Sequence, residues 1–225
     1  MSSWILNIET STKNCSVALS YKGNLINAIE QSSESYSHGE QLHPCIDKLI
    51  SESKIKLSNL SAVAVSKGPG SYTGLRIGVS AAKGLCYSLN IPLISLNSLS
   101  ILSRKVKVNK GTLLAPMIDA RRLEVYTQLL DYKYKIIKNT WAEIITKDSF
   151  SSFMSNNSIL AFGTGSQKTK NSIKNLKYKV LDKLYEPSSK EMTALSYKKF
   201  LKKEYENIAY FEPYYLKEFY NPASK

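Results

Sequence analysis

Apolar positions in the first hundred residues change from the spacing of strands to the spacing of helices. Three apolar runs separated by polar turns predict an antiparallel meander at the start of the chain. Farther on, apolar side chains recur every three or four positions, which predicts amphipathic helices. The predicted order is βββαβαβ, with strands at 4–8, 15–20, 25–29, 61–66 and up to 96, and helices at about 42–53 and 72–89. This order is typical of a mixed α/β sheet.

The second half of the chain repeats the opening pattern. Three strand-like runs again come first, followed by alternating helical and strand-like segments. The predicted strands lie at 112–118, 124–130, 134–145, 159–162 and 178–181, and the predicted helices near 147–154 and 192–203. We therefore expect a duplicated architecture with a first half at 1–103 and a second half at 104–225, and we expect the last helix to pack back on the first half.

Positive charge is concentrated in the second half. The 225 residues carry a formal charge of +13, and residues 101–225 hold 23 Lys and Arg against 12 Asp and Glu. A basic surface gains affinity for nucleic acid by releasing counterions from phosphates, so this distribution favours an RNA contact. Only 4 of the 31 basic residues are arginine, so the lysine-rich composition of an AT-rich genome is an equally good explanation.

The cysteines and the hydropathy pattern indicate the cellular compartment of the protein. Cys15, Cys45 and Cys86 form no CxxC pair, which favours free thiols in a reducing compartment. No run approaches the roughly 18 apolar residues that a membrane-spanning helix needs. In the N-terminal segment, Glu9 interrupts the apolar run too early for a secretory signal peptide. We expect a cytoplasmic protein without a membrane contact.

A glycine-rich loop joins a predicted strand to the long helix. It contains Gly68, Gly70 and Gly74, but Leu75 stands where a Walker A loop needs lysine, and Thr73 stands where a dinucleotide motif needs its third glycine. Two interpretations stay open: anion binding through the amides of residues 71–73, or a tight turn. Within the helix, glycine and alanine recur every four residues from Gly74, which indicates close approach of a neighbour in this chain or in another subunit.

Other polar clusters give weak signals for chemistry. His38 and His43 would lie about 140° apart on a helix, so they cannot converge on one metal ion. No G-x-S-x-G elbow accompanies them. Asp119, Arg121 and Arg122 lie at a predicted hairpin tip, where they could grip a phosphate or form a local ion pair. We therefore predict no catalytic, cofactor-binding or metal-binding residue.

Four segments resemble the TsaB family, the dimerisation subunit of the bacterial complex that makes N6-threonylcarbamoyladenosine at position 37 of tRNA. The longest of these segments reads SKGPGSYTGLRIG, and the resemblance covers essentially the whole chain. The matching segments are residues 8–12 with 16–19, 66–78, 118–126 and 212–216. The resemblance implies an actin-like ATPase fold of two ribonuclease-H-like halves, in agreement with the paired meanders.

The resemblance also implies a non-catalytic role. The catalytic relative TsaD is similar in fold but carries a histidine pair at i and i+4 on one helix and a glycine-rich phosphate turn in its second half. Here His38 and His43 are out of register, and Asp119 to Arg121 occupy the turn. The TsaB family usually has Asp where Glu9 stands and Leu where His43 stands.

The resemblance further implies the partners. The chain would bind and support TsaD as a heterodimer in threonylcarbamoyl transfer, join the ATPase subunit TsaE in the assembled complex, form a homodimer when alone, and meet tRNA through the complex. If the positive charge helps to bring tRNA, we expect Lys168, Lys170 and Lys174 to contribute. We also expect Gly78→Leu to leave the monomer folded and to abolish both associations. The expected partner interface comprises Leu42, Ile46, Gly74, Leu75, Gly78, Val79 and Ala82.

Two further functions stay open from the residues. An ATP-dependent small-molecule kinase of the actin-like ATPase superfamily would need a carboxylate pair for Mg²⁺, and Glu9 and Asp119 are the candidates. A stand-alone RNA-binding protein would use the basic second half. Measurements of ATP, RNA and TsaD binding would separate the three functions.

Overall fold

The computed structural model describes residues 3–32 and 38–217. The first half forms a five-stranded sheet of order β3-β2-β1-β4-β5, in which β1 to β3 make an antiparallel meander and β4 and β5 run parallel to β1. The predicted βββαβαβ order is confirmed. The elements are β1 (Trp4–Glu9), β2 (Asn14–Tyr21), β3 (Asn24–Ser32), α1 (His38–Glu52), β4 (Leu60–Gly68), α2 (Tyr72–Leu89) and β5 (Leu93–Asn97).

The second half forms another five-stranded sheet with the equivalent order, β10-β9-β6-β7-β8. Its first three strands again make an antiparallel meander, and β9 and β10 run parallel to β6. The elements are α3 (Ser98–Ser103), β6 (Thr112–Asp119), β7 (Glu124–Leu130), β8 (Ile136–Ile144), α4 (Ser151–Met154), β9 (Ser158–Phe162), β10 (Tyr178–Val180) and α5 (Thr193–Leu201). Two sheets of the same order confirm the predicted α/β actin-like ATPase fold.

The side chains of β1 alternate between the two faces of the sheet, so this buried strand contributes to two hydrophobic cores. Leu6 and Ile8 face α1 and α2, whereas Ile5 faces α5 and Met192 on the opposite side of the sheet. The neighbouring β4 alternates in the same way. Because both faces are covered, the central strands are apolar at nearly every position.

Three helices differ from the sequence-based expectations. Helix α3, which was not predicted, begins where the Asn97 side chain accepts hydrogen bonds from the amides of Leu99 and Ser100 at 2.9 and 3.2 Å. Helix α1 begins four residues earlier than expected, at His38. Helix α4 is a single turn that starts only after Phe150, whose φ of +64° prevents the helix from extending back to residue 147.

The chain after α5 returns along the first sheet. Glu206 donates its amide to the carbonyl of Leu93, and Tyr214 donates its amide to the carbonyl of Lys67 at 2.7 Å. Between them, the Lys83 ammonium of α2 donates to the carbonyls of Ala209 and Phe211. Helix α3 contacts strands of both sheets, so the division at residues 103 and 104 stays a prediction.

Among the described residues, no helix combines the length and the apolar character needed to cross a membrane.

Candidate functional site

The glycine-rich loop after β4 lies directly on the loop after β1. The amide of Ser71 donates to the carbonyl of Ser11 at 2.7 Å, and the Ser71 hydroxyl caps α2 by accepting from the amide of Gly74 at 3.2 Å. A Cβ at Gly70 would stand 2.3 Å from the Ser11 carbonyl oxygen, so only glycine fits there. The two loops therefore close on each other.

The glycines of α2 let this helix approach the loop after β1 closely. A Cβ at Gly74 would stand 2.2 Å from the carbonyl oxygen of Thr10, and one at Gly78 would stand 2.2 Å from the Thr10 hydroxyl. The neighbour that these glycines admit is therefore a loop of this chain. Leucine at this position would overlap the Thr10 side chain, so we expect Gly78→Leu to destabilise the monomer, and its folding stays a prediction.

The closed loops also distinguish the two interpretations of the glycine-rich segment in part. The amide of Ser71, the first of the predicted anion donors, is already donated to Ser11, and the amide of Gly74 is donated to the helix cap. The Ser71 amide is therefore not directed at a ligand. This contact favours the tight turn over an anion site.

Glu9 lies at the bottom of this contact and is fully buried. Its Oε1 accepts hydrogen bonds from the Ser11 amide at 2.6 Å and the Ser66 hydroxyl at 2.8 Å, while its Oε2 has no partner among the described residues. Loss of solvation raises the pKa of the Glu9 carboxyl, although the hydrogen bonds from Ser11 and Ser66 oppose the shift. The protonated form is therefore favoured relative to an exposed glutamate, which makes Glu9 a poor ligand for Mg²⁺.

Asp119 lies at the tip of the β6–β7 hairpin and is engaged by a lysine. Its Oδ1 is 2.5 Å from the Lys168 ammonium and accepts the Arg121 amide at 2.8 Å. The Lys168 ammonium also donates to the carbonyl of Arg122 at 2.8 Å. Arg121 and Arg122 both have left-handed backbones, with φ of +67° and +46°. Of the two interpretations of this cluster, the local ion pair of Asp119 with an arginine side chain is not found, because the lysine from the loop after β9 forms the ion pair instead.

The two histidines lie on different faces of α1, as their spacing predicts. His38 is buried with its Nε2 2.7 Å from the Thr12 carbonyl oxygen, and burial lowers the pKa of its imidazole. His43 is exposed. Within the described residues, no group of three His, Cys, Asp or Glu side chains is placed to hold a metal ion.

The seven residues expected at the partner interface are all buried inside this chain. The five that carry side chains larger than hydrogen are 4% exposed or less, and the two glycines are buried against the loop that holds Thr10. The reason is that the apolar stripes of α1 and α2 cover the sheet, where they pack against Val63 and Val65. The structure corrects the expected interface, namely Leu42, Ile46, Gly74, Leu75, Gly78, Val79 and Ala82, which offers no surface to a partner.

The opposite faces of the two helices form an open depression of about 570 Å³, the α1–α2 groove. Small side chains keep it shallow, and a Cβ at Gly84 would meet nothing within 4 Å. The signal that the sequence offered was a second stripe of apolar and small residues three and four positions apart on α2. The groove is lined by Gly39, His43, Arg76, Ile77, Ser80, Ala81, Gly84 and Leu85.

An aromatic cluster borders the groove. The Arg76 guanidinium lies 4.1 Å from the centre of the Tyr72 ring and donates to the Tyr215 hydroxyl at 3.1 Å. The Tyr72 and Tyr215 rings are themselves 5.1 Å apart. The segment after α5 is therefore fixed to the first turn of α2 beside the groove.

The comparison with a protein-family model gives one extensive match. The model described as "TsaD: tRNA N6-adenosine threonylcarbamoyltransferase" matches residues 29–219.

Curated relatives match a smaller part of the chain. It is 37% identical to the tRNA threonylcarbamoyladenosine biosynthesis protein TsaB of Bacillus subtilis, over 60% of this chain and 58% of that protein. It is 33% identical to TsaB of Haemophilus influenzae, over 54% of this chain and 51% of that protein. A tRNA N6-adenosine threonylcarbamoyltransferase of Pediococcus pentosaceus is 31% identical over 61% of this chain and 45% of its own length. The chain thus spans about half the length of the curated relatives it matches.

Solved structures agree with the fold. YeaZ from Pseudomonas aeruginosa superposes with a TM-score of 0.79 at 24% identity, over 95% of this chain and all of that chain. A second Pseudomonas aeruginosa structure, described as similar to the peptidase YeaZ, gives a TM-score of 0.82 at 24% identity, over 96% of this chain and all of that chain. These similarities establish the two-sheet architecture.

Proposed function

Since this chain belongs to the TsaB proteins of the tRNA N6-adenosine threonylcarbamoyltransferase (TsaD) family, we propose that it is a non-catalytic subunit that binds TsaD and supports threonylcarbamoyl transfer to adenosine 37 of tRNA. The relatives' names tie them to the biosynthesis of threonylcarbamoyladenosine. The non-catalytic role is carried by one observation in this chain: the loops after β1 and β4 close on each other through Ser11, Gly70 and Ser71.

The closed contact supports a non-catalytic role for a physical reason. Catalysis of phosphoryl or acyl transfer needs donors and carboxylates that reach the reacting group. Here the Ser71 amide is donated within the chain, and the Glu9 carboxyl is fully buried. A small-molecule kinase is not favoured, because Asp119, the second carboxylate it would need, forms an ion pair with Lys168.

The α1–α2 groove is the proposed docking surface for TsaD and, when TsaD is absent, for a second copy of this chain. It is open, and it lies on the two helices that the resemblance assigns to pairing. Its half-buried Ile77 and Leu85 supply apolar area, while Gly84 lets a partner helix approach closely. The ATPase subunit TsaE and tRNA would meet this chain in the assembled complex.

The proposal is tested by reconstituting the transfer. Purified TsaD, TsaE, an activated threonylcarbamoyl donor and unmodified tRNA are mixed with or without this chain, and the modified nucleoside is measured by mass spectrometry. We expect transfer by TsaD to rise at least tenfold when the chain is added, and no transfer by the chain alone. Transfer by the chain in the absence of TsaD would contradict the non-catalytic role, and unchanged TsaD activity would contradict the supporting role.

A further inference from the structure

The starts of three strands and one hairpin turn meet at a single end of the second sheet. Thr112 of β6 pairs with Ser158 of β9, so these two parallel strands start level with each other. Strand β10 starts beside them, since Tyr178 pairs with Ile159. Leu130 of β7 pairs with Leu114, which brings the β7–β8 turn to the same end. The loops at 104–111, 131–135, 155–157 and 171–177 are therefore neighbours in space.

These loops carry almost only positive charge, and we call this end of the sheet the basic end. Asp131 is the one carboxylate in the four loops, all of which are described, and its Oδ1 accepts the amides of Lys133 and Lys135 at 2.8 Å each. None of the six exposed lysines here forms an ion pair with a described carboxylate. The exposed lysines of the basic end are Lys107, Lys110, Lys133, Lys135, Lys174 and Lys177.

At the opposite end of the same sheet, carboxylates pair with three of the lysines. There Lys168 pairs with Asp119, Lys170 with Asp182 at 2.8 Å, and Lys217 with Glu124. Two of the three lysines expected to contribute to tRNA binding, Lys168 and Lys170, are therefore already paired with carboxylates. A lysine-rich composition accounts for the number of lysines, but it does not account for carboxylates at one end of a sheet and almost none at the other.

The basic end is also held in a fixed shape. The Arg104 guanidinium stacks 4.2 Å from the centre of the Tyr134 ring, and the Tyr134 hydroxyl donates to the Val106 carbonyl at 3.3 Å. Tyr134 has a left-handed backbone with φ of +62°, and its amide donates to the carbonyl of Asp131. These contacts join the loop before β6 to the β7–β8 turn, so Lys107 and Lys133 project from one rigid surface.

From this arrangement we propose that the basic end binds the phosphate backbone of RNA. Clustered unpaired lysines displace counterions from phosphates, and an aromatic side chain such as the 37% exposed Tyr132 offers a face on which a base can stack. Contacts to phosphates position an RNA without reading its sequence. The identity of the RNA as tRNA rests on the proposed function, whereas binding of an RNA backbone does not.

The experiment measures the binding of unmodified tRNA to the whole chain, without TsaD, by fluorescence anisotropy. The salt concentration is varied between roughly 50 and 200 mM, because binding to phosphates weakens steeply over this range. The test variant is Lys107→Glu with Lys133→Glu and Lys135→Glu. The control carries the same change of charge at the opposite end, as Lys147→Glu with Lys170→Glu and Lys183→Glu. A version of each triple with Gln in place of Glu is made as well, and circular dichroism verifies folding.

We expect the test variant to weaken binding at least about tenfold and to lower the slope of log affinity against log salt by about 3, one for each phosphate that the chain no longer neutralises. We expect the control to change the affinity less than about threefold. Equal weakening by both triples, or by neither, would overturn the proposal, as would a wild-type chain that fails to bind tRNA at the lowest salt. None of these outcomes depends on TsaD, so a failure here is distinct from a failure of the transfer assay.

Discussion

The buried side chain of Glu9 makes the stability of the folded state depend on pH. Its carboxyl lies where Ser11 and Ser66 donate to one oxygen, while the other oxygen has no partner among the described residues. Burial raises the pKa of this carboxyl above its ordinary value of 4.5. A carboxyl whose pKa is raised in the folded state stabilises that state fully below the unfolded pKa, and this contribution is lost as pH rises through the folded pKa.

The Glu9→Gln variant isolates this effect. Glutamine keeps the acceptor for Ser11 and Ser66 but cannot ionise, so we expect the two proteins to differ least near pH 4. As pH rises above 4.5, the wild type should lose stability relative to the variant. The measurement is the free energy of unfolding in urea at several pH values. A difference between the proteins that does not change with pH would show that the carboxyl titrates as it does in the unfolded chain.

At the scale of elements, helix α2 presents two glycines with opposite surroundings. Gly78 is buried against Thr10, whereas Gly84 faces the open α1–α2 groove. Leucine forms helix better than glycine by about 1 kcal/mol, and this gain is the same at both positions. What differs is space, because a side chain at Gly78 would meet the Thr10 hydroxyl at 2.2 Å and one at Gly84 would meet nothing within 4 Å.

We therefore expect Gly84→Leu to stabilise the chain by up to about 1 kcal/mol and Gly78→Leu to destabilise it by about 3 kcal/mol or more. Thermal and urea unfolding of the two variants beside the wild type measure both values. Equal effects at the two positions would mean that the contact between α2 and the Thr10 loop is not tightly packed.

The same helix shows what the sequence could and could not predict. The spacing of Leu75, Val79 and Ala82 predicts the helix correctly, because a stripe that repeats every three or four residues must cover a core. The spacing does not tell whether the stripe covers the core of this chain or an interface with another subunit. Residues that pack on this chain's own sheet were therefore expected at a partner interface. The second stripe, around Ala81 and Gly84, is present in the spacing, but only the three-dimensional packing shows that it stays uncovered and forms the groove.

Short elements were the harder part of the fold. Helix α3 was missed because Asn97 caps it at the end of a strand, and its six residues are too few to show a helical period. The pairing of Asp119 with Lys168 joins residues 49 positions apart, so only the parallel arrangement of β6 and β9 brings them together. Long-range contacts of this kind are set by topology.

At the scale of the whole molecule, the structure separates three surfaces. The loops after β1 and β4 are closed by Ser11 and Ser71, the α1–α2 groove is open, and the far end of the second sheet is basic. A subunit that supports a catalytic partner needs a docking surface and no reactive centre. We therefore expect the chain to associate with TsaD through the α1–α2 groove.

Light scattering of size-separated mixtures tests that expectation most directly. The chain is mixed with TsaD as the wild type, as Gly84→Leu and as the control Tyr87→Leu, which changes an 83% exposed residue of the same helix outside the groove lining. We predict a one-to-one heterodimer for the wild type and the control, and separate monomeric Gly84→Leu and TsaD, because leucine at position 84 fills the space that a partner helix would enter. A heterodimer of undiminished affinity with Gly84→Leu, or no complex with the wild type, would contradict the account.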